Sequence, residues 1–148
     1  MRRYETIFIL RPNVGEEEIN RIIESTSQII LDEKGSIIDL NKWGMKKLAY
    51  LIKKESLGYY IYCDFAGTPA AVAEFERKFR IDDSVMKYMT IKTAASISEE
   101  EIQLIIDDIS AKKSAEIEQA AAAEKEAEEK SEEKSAEKKP DEKKTADN

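Results

Sequence analysis

Histidine is absent from all 148 residues of this chain. The commonest general base and the commonest metal ligand are therefore missing. One cysteine, Cys63, is present, so no intrachain disulfide can form and a zinc site has no thiolate set. Cys63 stands in an apolar run and reads as a small core residue, the usual fate of a free cysteine. No apolar run approaches the roughly 18 residues of a membrane span. The opening RRYETIF lacks the long apolar stretch and small-residue cleavage site of a signal peptide, so no membrane role is expected and the cytoplasm is the default location. There is no Gly-rich phosphate loop, no Ser-His-Asp set and no metal-ligand spacing. Neither a catalytic centre nor a cofactor or small-molecule substrate is expected.

The net charge is −7, but it is unevenly placed. Residues 1–94 carry 15 Lys and Arg against 14 Asp and Glu, a net of +1. Residues 95–148 carry 9 Lys against 17 Asp and Glu, a net of −8. The acidity belongs to the tail, and the first part is free to meet nucleic acid.

Residues 3–10, RYETIFIL, alternate as a strand, with Tyr4, Thr6, Phe8 and Leu10 on one face and Glu5, Ile7 and Ile9 on the other. Pro12-Asn13 turns the chain. A helix follows over 16–32, with three glutamates at its start and an isoleucine stripe, ending at Gly35. Ser36 to about Tyr50 reads as a long strand bent at Gly44. Glu55 to Gly58 reads as a turn and Tyr59–Ala66 as the third strand. Thr68 and Pro69 open a second helix as N-cap and first position. Ile81–Ser84 turns, with Asp82-Asp83 as turn formers rather than a catalytic pair. Val85–Lys92 is the last strand.

This order is the ferredoxin-like split βαβ plan, strand-helix-strand-strand-helix-strand. It implies an α+β fold whose four-stranded antiparallel sheet has both helices on one face. With Ile61, Cys63 and Phe65 in the core, the other face carries Ile7, Ile9, Tyr60 and Tyr62, joined by Met89 and Ile91. An apolar face of that kind marks a partner-protein interface unless the C-terminal segment folds back over it. Two parts follow: a domain over 1–94 and an acidic Ala/Glu/Lys-rich tail over 95–148. Ser98 to Glu101 is a capping box that opens a short amphipathic helix over about 98–110. The rest of the tail is expected to be low-complexity and largely disordered.

Within this frame, residues 42–60 read KWGMKKLAYLIKKESLGYY, five lysines interleaved with a tryptophan and three tyrosines. Cations hold phosphates and flat rings stack on bases or meet riboses. The basic residues of the first part are Arg2, Arg3, Lys46, Lys47, Lys53, Lys54, Arg80, Lys87 and Lys92. Tyr4, Tyr50 and Tyr59 lie among them. Together they form a candidate RNA-binding set. A net of +1 argues for a weak binder that depends on a second protein, because non-specific affinity rests on counterion release. Trp43 fits either the core or the partner interface, and its place beside a strand bend favours the interface.

GMKKLAY, the opening MRRYE, Arg11-Pro12-Asn13 and RIDDSVMKYMTIK together resemble the bacterial small-subunit ribosomal protein six family, in register from Met1 to about Thr93. The resemblance implies a structural protein bound to the central domain of 16S rRNA, as a heterodimer with ribosomal protein eighteen. Ribosomal protein fifteen would act indirectly, through the RNA. Matched position by position, it points to Arg2, Arg3 and Tyr4, to Lys46, Lys47 and Tyr50, and to Arg80 and Lys87. Lysine at 46 and 47, where the family often has arginine, keeps the charge and loses the bidentate fork. Two competitors share the fold. An acylphosphatase-like hydrolase needs a phosphate-cradling loop after the first strand, where this chain has Pro12, which lacks an amide donor. A sensing module that dimerises through its sheet would need neither GMKKLAY nor the N-terminal arginines.

Overall fold

Alternating β-branched and aromatic residues make β1 (Arg2–Leu10), and its Tyr4, Thr6, Phe8 and Leu10 side chains are buried. A computed structural model of the chain describes residues 1–115. The isoleucine stripe makes α1 (Glu16–Asp32), whose Ile19, Ile22, Ile23, Ile29 and Ile30 are all buried. Next come β2 (Ser36–Ile52), β3 (Glu55–Gly67), α2 (Pro69–Ile81) and β4 (Val85–Ala94). The sheet order is β2-β3-β1-β4, with every neighbouring pair antiparallel. This is the ferredoxin-like arrangement expected from the sequence.

The core lies between the helices and one sheet face. Phe8, Leu10, Ile61, Cys63 and Phe65 meet Ile22, Ile30, Phe75 and Phe79 there. Phe8 packs on Phe79 at 4.8 Å between ring centres, and Phe65 meets Phe75 edge-on at 5.6 Å. Burial pushes the Cys63 thiol up to about 12, with Asp64 and Asp39 adding to the effect, so it is an inert core group. Thr68 caps α2 by accepting a hydrogen bond from the Ala71 amide at 3.3 Å.

Three local readings are corrected. Gly35 is not the left-handed residue that ends α1; Lys34 is, at φ 59°. The Gly35 amide donates to Ile30 O at 2.8 Å and the Lys34 amide to Leu31 O at 2.9 Å, a Schellman closure. Gly35 is needed for space instead, since a Cβ there would sit 2.6 Å from Ala66 O. The β2–β3 turn is not Glu55–Gly58. It is Lys53-Lys54, both with positive φ, with Ile52 paired to Glu55. This two-residue geometry matches the twist of the flanking strands, so both run longer than the sequence suggested. The helical residues of α2 reach Ile81, and the following turn is Asp82–Ser84, closed by the Ser84 amide donating to Asp82 Oδ1 at 2.9 Å.

The first compact unit runs from Met1 to Asp107, past the expected boundary at 94. Ile97 and Ile102 are buried, and Ile97 exchanges backbone hydrogen bonds with Met1 at 2.8 and 3.1 Å. Helical residues 99–107 start with the expected capping box: the Ser98 amide donates to Glu101, and the Glu101 amide donates to Ser98 Oγ. Residues 108–115 of the second unit are helical; the expectation of disorder further on lies outside the described residues.

Candidate functional site

The sheet face away from α1 and α2 is built in rows by the strand register. Asn41, Tyr62, Ile7 and Met89 stand side by side across the four strands. Asp39, Asp64, Glu5 and Ile91 form the next row towards one end. Tyr60, Ile9 and Lys87 form the next row towards the other end, with Lys46 beyond them on β2.

Bulges on both edge strands shape this face. Lys42 pairs with Ile61 and Gly44 with Tyr60, so Trp43 is the extra residue of a bulge whose Gly44 has φ 79°. The expected bend at Gly44 is therefore present. The bulge delivers the Trp43 ring onto Tyr62, stacked at 5.4 Å with 5° between planes. Trp43 is not a core residue; it stays 43% exposed. The Lys46 ammonium sits 5.0 Å from the centre of the same indole. On β4, Ile9 pairs with Lys87 and Leu10 with Val85, so Met86 is the extra residue there.

The β2–β3 hairpin outruns β1 and curls over the open face, as a long right-twisted ribbon does. Leu48 of β2 packs on Ile9 and Met86, although β2 and β4 are opposite edges of the sheet. Lys87 donates to the Tyr50 hydroxyl at 2.7 Å and lies 5.3 Å from the Tyr50 ring centre. Lys53 Nζ donates to Val85 O at 3.1 Å. Gly58 permits this closeness, because a Cβ there would fall on Ile9 Cγ2 and 3.0 Å from Met86 Cε. Under the hairpin lies a groove of about 240 Å³ lined by Ile7, Ile9, Leu48, Tyr50, Tyr60 and Met89.

The seven residues assigned to a partner interface all stand on this face. Met89 is 62% exposed and Ile91 50% exposed; Ile7, Tyr60 and Tyr62 are half-buried. Ile9 is buried beneath the hairpin. Burial pushes the Tyr62 phenol up to about 12, and Asp64, Glu5 and Asp39 add to it. Residues 95–107, which belong to the same compact unit, leave Met89 and Ile91 exposed.

The residues assigned to RNA divide. Arg2, Lys46, Lys47, Tyr50, Lys53, Lys54 and Lys87 are exposed, and five of them, Lys46, Lys47, Tyr50, Lys53 and Lys54, stand on the hairpin. Tyr4 is a correction: it is buried and stacks on Phe65 at 5.5 Å. The alternation that places Phe8 and Leu10 in the core carries Tyr4 with them, and no base can reach its ring. Tyr59 packs partly against the same core. Lys92 pairs with Tyr4 and so belongs to the helix-side face, and exposed Arg80 stands near the end of α2. Arg3 is committed within the fold, gripping Asp64 with Nε at 3.1 and 3.3 Å and Nη2 at 2.6 Å. Asp64, Leu48 and Met86 are the site residues that the sequence reading missed. A lone aspartate at the alternation position after Tyr60 and Tyr62 was the available signal for the first.

The loop after β1 offers no phosphate cradle. Arg11 donates through Nε to Asp83 O at 2.8 Å and through its amide to Ser84 O at 2.9 Å, so it ties the loop to the start of β4. No group of three or more carboxylate or thiolate side chains able to hold a metal occurs among the described residues.

A family model described as Ribosomal protein S6 matches residues 3–92. The chain belongs to the ribosomal protein S6 family. Small ribosomal subunit protein bS6 of Desulfotalea psychrophila is 56% identical over 125 residues, covering 84% of this chain and 78% of that protein. That alignment extends past the family model's span into the tail. The protein of the same name from Desulforapulum autotrophicum is 42% identical over 114 residues, covering 77% and 74%. The crystal structure of 30S ribosomal protein S6 from Thermotoga maritima aligns with a TM-score of 0.58 at 35% identity, covering 62% of this chain and 86% of that one. Membership of the S6 family makes this a structural, non-enzymatic ribosomal protein of the bacterial small subunit, and so a cytoplasmic one.

Proposed function

We propose that this S6 protein scaffolds the central domain of 16S rRNA jointly with ribosomal protein eighteen, on RNA already organised by ribosomal protein fifteen. The observation that carries this is the union of two surfaces on one hairpin. Lys46, Lys47, Lys53 and Lys54 present cations, while Trp43 and Leu48 of the same hairpin help build the open apolar face. Phosphates would take the lysines and Arg2, and Tyr50 is exposed for a ribose or base. The partner protein would cover Trp43, Tyr62, Met89 and Ile91. Exposed apolar side chains in one patch are costly to leave in water, which favours a protein on this face over RNA alone.

A net of +1 over residues 1–94 favours binding that needs the pair. The test is a gel-shift titration of the full chain against a central-domain rRNA fragment bearing protein fifteen, with and without protein eighteen, at two salt concentrations. Tight, salt-sensitive binding only with protein eighteen is expected. Tight binding by this chain alone would overturn the partner dependence, and no binding in either case would overturn the RNA assignment.

A further inference from the structure

The open face is charge-segregated along its strands. At one end Asp39, Asp64 and Glu5 are direct cross-strand neighbours on three adjacent strands. Like charges placed opposite one another destabilise a sheet. Arg3 faces this row and grips Asp64, and the Asn41 amide donates to Asp39 at 2.5 Å. With Arg3 counted, these four residues sum to −2. At the other end stand Lys46 and Lys87, each over an aromatic ring. Between the two ends lies the apolar row of Tyr62, Ile7 and Met89, with Trp43 stacked on Tyr62. Phosphate is repelled from the first end and attracted to the second.

We propose that the Asp39–Asp64–Glu5 row receives a basic segment of the partner protein, and so sets the direction in which that protein crosses the sheet. The occupant is a polypeptide segment whose apolar residues cover Tyr62, Ile7 and Met89 and whose Lys or Arg residues lie at the acid end. The opposite direction would bring those cations onto Lys46 and Lys87, and repulsion of that kind selects one orientation more than it adds affinity. The lysine end is thereby left for RNA. This rests on the partner reading above and deepens it.

The test is calorimetric titration of the full chain with ribosomal protein eighteen, without RNA, at low and high salt. Glu5→Gln with Asp39→Asn should weaken pairing about tenfold at low salt, and the deficit should shrink at high salt as the attraction is screened. Removing like charges from a sheet row does not threaten the fold, and a thermal melt of the variant checks this. Met89→Glu, at an exposed position in the apolar row, should abolish pairing at both salts. Unchanged or tighter pairing by the Gln/Asn variant while Met89→Glu abolishes it would overturn the acid-end assignment alone. Normal pairing by Met89→Glu would overturn the placement of the partner on this face, and the acid-end assignment with it. RNA that shifts the NMR signals of Met89 and Ile91 in the absence of any partner would overturn the proposal in favour of RNA on the whole face.

Discussion

Arg3→Met should destabilise this protein by about 3 kcal/mol, because it strands a buried carboxylate. The Asp64 side chain is 2% exposed and that of Arg3 27%, so the guanidinium is the layer between the carboxylate and water. Three donor–acceptor distances of 2.6 to 3.3 Å join them. Breaking a buried pair from one side costs about 3–5 kcal/mol, and the partial exposure of Arg3 places this case at the low end. The neighbours make matters worse, since Asp39 and Glu5 flank Asp64 in register and offer only negative charge. Asp64→Leu with Arg3→Met removes both partners and should return the stability to within about 1 kcal/mol of the parent. The coupling from the complete cycle should therefore reach about 2 kcal/mol. Urea unfolding of the parent, both single variants and the double variant measures all of it. A loss below about 1 kcal/mol for Arg3→Met, or a double variant as unstable as the two losses summed, would refute the claim that Arg3 serves the fold.

Gly58→Ala should cost about 1–3 kcal/mol in a urea titration, because its Cβ would fall on Ile9 Cγ2 and lift the hairpin from the open face. Lys46→Glu with Lys47→Glu should leave the melting temperature nearly unchanged and reduce incorporation into reconstituted small subunits; normal incorporation would remove these lysines from the RNA surface. Thiol reagent should ignore Cys63 in the native protein and label it fully in urea, since burial holds the thiol near 12. The pH dependence has a defined sign. Burial raises Cys63 from its ordinary 9.0 and Tyr62 from 10.0, both to about 12, so the protonated forms belong to the fold. The stability they contribute is fully present below about pH 9 and is lost between about 9 and 12, as unfolding releases groups that ionise more readily. Denaturant midpoints that stay flat across that window would contradict it.

Helices and strands were legible because their periodicities differ. The isoleucines of 19–30 recur as a helix stripe, the residues of 4–10 alternate, and the structure keeps both patterns. The hairpin turn was not legible. Lys53-Lys54 holds two left-handed residues without the Asn-Gly signature that announces such a turn, so the glycine at 58 drew the turn towards itself. That glycine answers a tertiary demand, the approach of Ile9, which appears only when β2 and β3 curl over β1. Gly35 was misread for the same reason: its constraint is the Ala66 carbonyl, 31 positions away in the chain. Arg3 looked like an RNA ligand because a terminal arginine in a basic set has no visible partner in sequence. The partner is diagonal across two strands, and only the register supplies it.

Trp43 shows how a local irregularity becomes a functional surface. In an unbroken β2, successive side chains alternate between faces, and Lys42 on the helix side reaches Asn20 of α1 at 2.6 Å. The bulge at Trp43 and Gly44 then inserts one residue, so Lys46, Leu48 and Tyr50 keep the open face while the strand bends towards β4. That one insertion has three effects. It stacks the indole on Tyr62, places Lys46 above the indole, and turns the hairpin so that Tyr50 meets Lys87 on the opposite edge strand. Gly44→Ala isolates the cause, because nothing lies within 4 Å of its Cβ and the only penalty is φ 79°. A loss of about 1–2 kcal/mol is expected from the left-handed backbone alone. If the bulge is what sets the hairpin, the Lys87–Tyr50 contact should weaken with it, read as a change in the NMR shifts of Tyr50 and Lys87. Lost stability with those shifts unmoved would mean that Leu48 on Ile9 and Met86, rather than the bulge, holds the hairpin across the sheet.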